Sequence, residues 1–112
     1  MISGIGIDIV DLKRFSELSE SSRFRIRFFS KSETNISILR LAGRFAAREA
    51  LFKALNRIEI YNLNDIEIIN QEDGSPAFVF SNSLADYFAS KRVHLSISHV
   101  PDYAIALVII EE

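Results

Sequence analysis

The sequence predicts an α+β fold: a mostly antiparallel sheet packed on one long helix, with short helices beside it. Three observations carry that prediction. Ile5, Ile7 and Ile9 alternate with Gly4, Gly6, Asp8 and Val10, the period of a strand with one apolar face. A stretch from about Leu39 to Asn56 has helix-forming composition, with Gly43 as its only glycine and no proline. Val93–His99 and Tyr103–Ile110 read as a hairpin joined by Val100-Pro101-Asp102. At 112 residues the chain is the usual size of one domain, spanning 1–112.

The remaining elements follow in order. Asp11 is placed to cap a helix running to Leu18, and Ser22 to Phe29 reads as a second short helix. Ser30-Lys31-Ser32-Glu33 has the pattern of a capping box, in which Ser30 and Glu33 satisfy each other's free amides. Ile66, Ile68 and Ile69 predict a strand, Asp73-Gly74-Ser75-Pro76 a turn, and Ala77 to Phe80 the returning strand. Ser81 to Lys91 reads as a helix with Leu84 and Phe88 turned inward.

Composition excludes several functional classes. Hydrophobic residues make up 48% and charged residues 25%, a globular balance and not that of a disordered chain. There is no cysteine, hence no disulfide scaffold, thiolate metal ligand or cysteine nucleophile, and two histidines are too few for a histidine-rich metal centre. No apolar run reaches the roughly 18–20 residues of a membrane span, and no signal peptide is visible. A soluble, cytoplasmic protein is the expectation, with no membrane partner.

Charge is polarised along the chain. The net charge is −2, yet residues 1–57 hold eleven Lys and Arg against six Asp and Glu, while the remainder holds two against nine. Arg14, Arg23, Arg25, Arg27 and Lys31 are interleaved with Phe15, Phe24, Ile26, Phe28 and Phe29. Two readings stand: a solvated amphipathic helix, or a docking surface for an acidic partner. An acidic protein suits the second better than nucleic acid, given the total charge.

Candidate chemistry gathers at a few residues. Asp8 lies on the strand face opposite the isoleucines, beside glycines that let another group approach. On the long helix Leu41, Phe45, Phe52 and Leu55 share a stripe, with Glu49 and Lys53 at its edge. That pair reads as a surface ion pair or as part of a site. Arg44 and Arg48 fall within or beside the stripe, where a guanidinium needs a partner: solvent, an anion or a neighbouring chain. Asp8 and Glu49 suit one hard cation such as Mg²⁺, which takes one or two carboxylates plus substrate phosphate. Lys53, Arg44 and Arg48 suit phosphate oxygens, and no P-loop motif is present. His99 closes its strand on the face of Leu95 and Ile97. Ser96 and Ser98 point the other way, so a Ser-His nucleophilic pair is rejected.

Three runs taken together resemble a known family: Gly4-Ile5-Gly6-Ile7-Asp8-Ile9-Val10 with Arg14; Arg44-Phe45-Ala46-Ala47-Arg48-Glu49-Ala50 with Lys53-Ala54; and Ser96-Ile97-Ser98-His99. In order and spacing they are similar to the small bacterial holo-acyl carrier protein synthases of the 4′-phosphopantetheinyl transferase superfamily. Asp73-Gly74 with Pro76 and the C-terminal strand fit as well. The resemblance implies that superfamily's fold and the transfer of 4′-phosphopantetheine from coenzyme A to a serine of apo-acyl carrier protein, within fatty acid biosynthesis. It implies Asp8 and Glu49 as Mg²⁺ ligands and, with Lys53, as the catalytic group. Arg44, Arg48, Lys53, Ser75, Pro76 and His99 would contact coenzyme A. Arg14, Leu18, Arg23 and Phe24 would dock the acidic carrier. It further implies a homotrimer with sites between subunits, so that Asp8 and the Glu49–Lys53 helix would come from different chains.

The chain also departs from the family pattern. Arg48 stands where lysine is usual, keeping charge but not geometry. Asn56-Arg57-Ile58-Glu59-Ile60 replaces a glycine-rich segment, Ser75 replaces a lysine between Gly74 and Pro76, and the segment from Ser30 to Leu41 is short. The altered loop motivates a rival expectation: a homologue that binds the carrier or coenzyme A without efficient transfer.

Overall fold

The computed structural model describes residues 1–30, 33, 35–55 and 63–112. Strand β1 (Ile2–Asp11) leads into α1 (Leu12–Ser19) and α2 (Ser22–Phe28). The long helix α3 spans Ile38–Leu55. After one 3₁₀ turn (Leu63–Asp65) come β2 (Ile66–Asn70), β3 (Pro76–Phe80), α4 (Asn82–Phe88), β4 (Arg92–Val100) and β5 (Tyr103–Glu111). Among the described residues all pairings are antiparallel, and they form two sheets: β1-β5-β4 and the hairpin β2-β3.

Local chemistry sets the boundaries. Asp11 is the N-cap of α1, its carboxylate accepting the Arg14 amide, and Ser21 caps α2 through the Phe24 amide. The β2-β3 turn needs a positive φ at Gly74 (87°), which glycine adopts without strain. Of the Ser30–Glu33 box, the Ser30 amide does donate to Glu33 Oε1 at 3.0 Å. The Ser30 hydroxyl also turns to that carboxylate. Lys31, Ser32 and the Asn56–Ile60 loop lie outside the described residues.

The two apolar faces marked in the sequence are not the ones packed most tightly. The isoleucine face of β1 does not face the core: Ile5, Ile7 and Ile9 are 55–63% exposed, while Gly4, Gly6 and Val10 are buried. Nor is the most buried face of α3 the Leu41–Phe45–Phe52–Leu55 stripe. Ala42, Ala46, Ala50 and Ala54 are at most 2% exposed, whereas Phe45, Phe52 and Leu55 are only half-buried. Both arrangements have one cause. A Cβ on Gly6 would collide with the Ala50 carbonyl oxygen, and one on Gly4 with that of Ala54. Helix backbone lies directly on strand backbone, so both surfaces must be small, and the bulky residues are displaced outward.

A second packing centre fills the side of α3. Phe15, Phe24, Phe28, Phe29 and Phe45 form a ring cluster with centroids 4.8–6.2 Å apart. It fastens α1 and α2 to the helix, and edge-to-face pairs in it add to the area they bury.

Candidate active site

Asp8, Glu49 and Lys53 meet where β1 crosses the C-terminal half of α3. The glycines bring the two backbones together, with Ala50 and Ala54 beneath. Glu49 and Lys53 each precede one of those alanines and emerge beside Asp8. Lys53 Nζ donates to Asp8 Oδ1 and to the Ile7 carbonyl, both at 3.0 Å. The Asp8 side chain is 16% exposed and that of Lys53 56%. The sequence pairing of Glu49 with Lys53 thus gives way to Lys53 with Asp8. All three residues belong to one chain, which corrects the expectation that Asp8 and the helix come from different subunits.

Electrostatics link the two acids. Burial pushes the Glu49 carboxyl above its ordinary pKa; the charge of Asp8 adds to the shift and Lys53 opposes it. Two carboxylates that repel each other, relieved here by one ammonium, offer the hard oxygen donors that a divalent cation takes together with phosphate and water oxygens. No cluster of three or more His, Cys, Asp or Glu exists among the described residues. The donor set therefore fits Mg²⁺ bound together with a substrate phosphate better than a closed protein cage.

Arg44 and His99 lie elsewhere, around a cavity of about 160 Å³ at the N-terminal half of α3. Its lining includes Arg40, Arg44, Gly74, Pro76 and His99. Arg44 Nη1 donates to the Ile68 carbonyl at 2.9 Å and stands 3.6 Å from Glu33. Burial pushes the Arg44 guanidinium below its ordinary pKa; Glu33 opposes this, and the charges of Arg40 and Arg48 add to it. The Ser75 hydroxyl is taken up by its own turn, 2.8 Å from Gln71 Oε1 and 2.5 Å from Asp73 Oδ1.

Arg48 is corrected as a phosphate contact. Its side chain is fully buried. It forks onto Glu33 at 2.6 and 3.1 Å and donates to the Ile66 carbonyl at 2.9 Å. Its ring neighbour is Phe29, 5.5 Å away. Glu33 answers the question raised by an arginine on an apolar stripe. Burial pushes the Glu33 carboxyl up, but hydrogen bonds and charge from Arg48, with bonds from Ser30, hold it below its ordinary value. The pair is invisible in the sequence because Glu33 reads there as part of a local cap.

The docking residues divide. Arg14 and Arg23 are exposed and Leu18 is 44% exposed. Phe24 is half-buried, its ring inside the aromatic cluster, so it supports α2 more than it presents a surface. Ile26, outside the docking set expected from the sequence, is the apolar side chain that α2 offers to solvent, 74% exposed between Arg25 and Arg27. No helix among the described residues is long and apolar enough to cross a membrane.

Comparison with known proteins agrees with this layout. The chain is 40% identical over 115 residues to the holo-[acyl-carrier-protein] synthase of Leifsonia xyli, covering 99% of this chain and 98% of the relative. It is 44% identical over 122 residues to that of Anoxybacillus flavithermus, covering 99% and 97%. Among solved structures, the holo-[acyl-carrier-protein] synthase of Neisseria meningitidis superposes with a TM-score of 0.89 at 31% identity, covering 100% of both chains. The Bacillus anthracis synthase in complex with CoA (3′,5′-ADP) gives a TM-score of 0.81 at 36% identity, covering 100% of this chain and 98% of that one. A family model described as the 4′-phosphopantetheinyl transferase superfamily matches residues 4–108. With fold, relatives and family match in agreement, the chain belongs to the 4′-phosphopantetheinyl transferase superfamily.

Proposed function

We propose that this chain is a holo-[acyl-carrier-protein] synthase. It moves 4′-phosphopantetheine from coenzyme A to a serine hydroxyl of apo-acyl carrier protein and releases adenosine 3′,5′-bisphosphate. It works in the cytoplasm, in fatty acid biosynthesis. The observation that carries the reading is the Asp8–Glu49–Lys53 cluster, formed in a chain whose full-length relatives bear that name.

Asp8 and Glu49 would hold Mg²⁺. When bound, the ion supplies positive charge to the pyrophosphate, the group on which negative charge develops as the bond breaks. Lys53 carries a half-exposed ammonium at the same place and donates to a phosphate oxygen once Asp8 no longer holds it. The proton of the incoming serine goes to Glu49 or to a water in the site, and a carboxylate that also holds the ion is the poorer base of the two. Arg44, Pro76 and His99 line the cavity that would take another part of the donor. Arg14, Leu18 and Arg23 steer the acidic carrier onto α1 and α2. Positioning by these groups supplies much of the rate, since phosphoryl-type transfer asks little covalent chemistry of the protein.

The reading includes a homotrimer. Support comes from the sheet face turned away from α3. Ile5, Ile7 and Ile9 on β1, Tyr103 and Leu107 on β5, and Val100 on β4 all stand exposed there. An apolar face this continuous favours burial against further copies of the chain.

The test weighs apo-acyl carrier protein by intact mass after incubation with the protein, coenzyme A and Mg²⁺. A gain of one phosphopantetheine group is expected, lost with chelator and lost in Asp8→Ala and Glu49→Ala proteins that still fold. No gain, beside a working synthase in the same buffer, returns the chain to a binding module.

A further inference from the structure

A second cavity, of about 720 Å³, lies between α2 and the start of α3. It shares no described lining residue with the cavity at His99. Nor does it touch Asp8, Glu49 and Lys53, or the docking residues Arg14, Leu18, Arg23 and Phe24. Its deepest walls are Phe29 and Leu41, 7% and 8% exposed. Ile36 is half-buried beside them, while Ile26 and Ile38 open toward solvent. On α2, Ser22, Arg25, Ile26 and Phe29 follow the three-and-four spacing of one helix face. That face is therefore turned to the cavity, whereas Phe24 and Phe28 pack on Phe45.

The polar groups of the lining are mostly taken. The Ser19 hydroxyl donates to the Ser16 carbonyl at 2.9 Å. The Ser30 hydroxyl is held by Glu33, and Glu33 by the Arg48 fork. Arg25 differs: its side chain makes no hydrogen bond or ion pair among the described residues. An apolar cavity with one uncommitted guanidinium suits an apolar body with one anionic end. At about 720 Å³ its volume falls within the ~300–1,000 Å³ of sites that enclose an organic ligand. The charge selects further. A phosphomonoester brings about two negative charges, which here would meet one guanidinium with Glu33 on the same wall. A carboxylate brings one. A cationic end would meet Arg25, since Glu33 is already forked by Arg48.

We infer that this cavity binds the free anion of a fatty acid, its aliphatic chain against Phe29, Ile36 and Leu41 and its carboxylate on Arg25. The site stands whether or not the chain transfers phosphopantetheine.

The experiment titrates the full chain with decanoate, below its micelle concentration, and follows backbone amide shifts by NMR. The comparison ligands are 1-decanol and decyltrimethylammonium, which keep the tail and change the head. Saturable binding of one decanoate per chain is expected, with shifts confined to α2 and the start of α3. Both comparison ligands should bind at least about 10-fold more weakly, the scale of one charge-assisted hydrogen bond. Arg25→Gln, at an exposed position, should weaken decanoate to the level of decanol and leave decanol within about twofold. Ile38→Trp, 40% exposed in the free protein, should narrow the cavity and weaken both. Shifts centred on the exposed isoleucines of β1 would mean detergent-like contact with the sheet and overturn the site. So would no saturable binding, equal affinity for the cationic ligand, or decanoate affinity unchanged by Arg25→Gln or by Ile38→Trp.

Discussion

Lys53 Nζ lies 3.0 Å from Asp8 Oδ1, so α3 holds a cation against the acid of β1 within a single chain. The same ammonium also reaches the Ile7 carbonyl. It therefore has somewhere to stand when the carboxylate is otherwise engaged. Lys53→Met is expected to lower kcat about 100-fold, the usual cost of losing one donor to developing charge, with KM for coenzyme A changed only a few-fold. Steady-state transfer measured with both substrates varied checks this; a pure KM effect would assign Lys53 to ground-state binding alone.

Glu33 and Arg48 form the most deeply buried ion pair among the described residues. Arg48→Met strips buried Glu33 of its two-pronged partner, leaving only Arg44 at 3.6 Å and the bonds from Ser30, and should cost about 3 kcal/mol in urea unfolding. The double variant Glu33→Leu with Arg48→Met should recover most of that loss. The folded-state pKa of Glu33 lies below its ordinary value of 4.5. Its contribution is therefore full above that value and is lost as pH falls through the folded pKa. Melting temperature followed from pH 7 down to about pH 3 should drop more steeply in wild type than in the double variant. Parallel curves would remove Glu33 as a source of acid sensitivity.

Gly6→Ala places a methyl against the Ala50 carbonyl oxygen, where neither backbone can retreat cheaply. A loss of about 3 kcal/mol or more is expected, at or beyond the upper range for overpacking. Thermal unfolding by circular dichroism measures it. A change below about 1 kcal/mol would mean that α3 can lift from the sheet.

Ile7→Asp puts a charge in the centre of the exposed isoleucine face without touching the core. Sedimentation at micromolar concentration should show trimer for wild type and monomer for the variant. A wild type that sediments as monomer would remove the trimer from the reading.

Arg23→Glu should raise KM for the carrier about tenfold and leave KM for coenzyme A unchanged, with the defect shrinking as salt rises. Equal defects for both substrates would place Arg23 outside carrier docking. Ile26→Ser, on the same helix, should weaken carrier binding without that salt dependence.

Element order was legible in the sequence because caps, turns and periodicity are local. Asp11 capping α1, the Gly74 turn and the β4-β5 hairpin all follow from neighbours within a few residues. The facing of β1 was not legible, because alternation defines two faces without saying which is covered. Apolar content pointed to the isoleucines, whereas close approach of a helix selected the glycines. Glu33 and Arg48 meet across fifteen residues, and no local pattern pairs them.

Helix α3 carries two kinds of equipment at fixed phase. Arg40, Arg44 and Arg48 recur every fourth residue as one stripe, while Glu49 and Lys53 form a second stripe one residue further round. At about 100° and 1.5 Å per residue, the helix acts as a protractor as well as a ruler. Substitutions along it alter one side chain at a time. A single residue inserted between Arg48 and Glu49 would leave every side chain in place chemically, yet swing one stripe about 100° from the other. The arginines could then stay with Glu33 and the cavity, or the acid and lysine with Asp8, but not both. The number of residues between the two stripes is therefore a constraint of its own, separate from which side chains stand there.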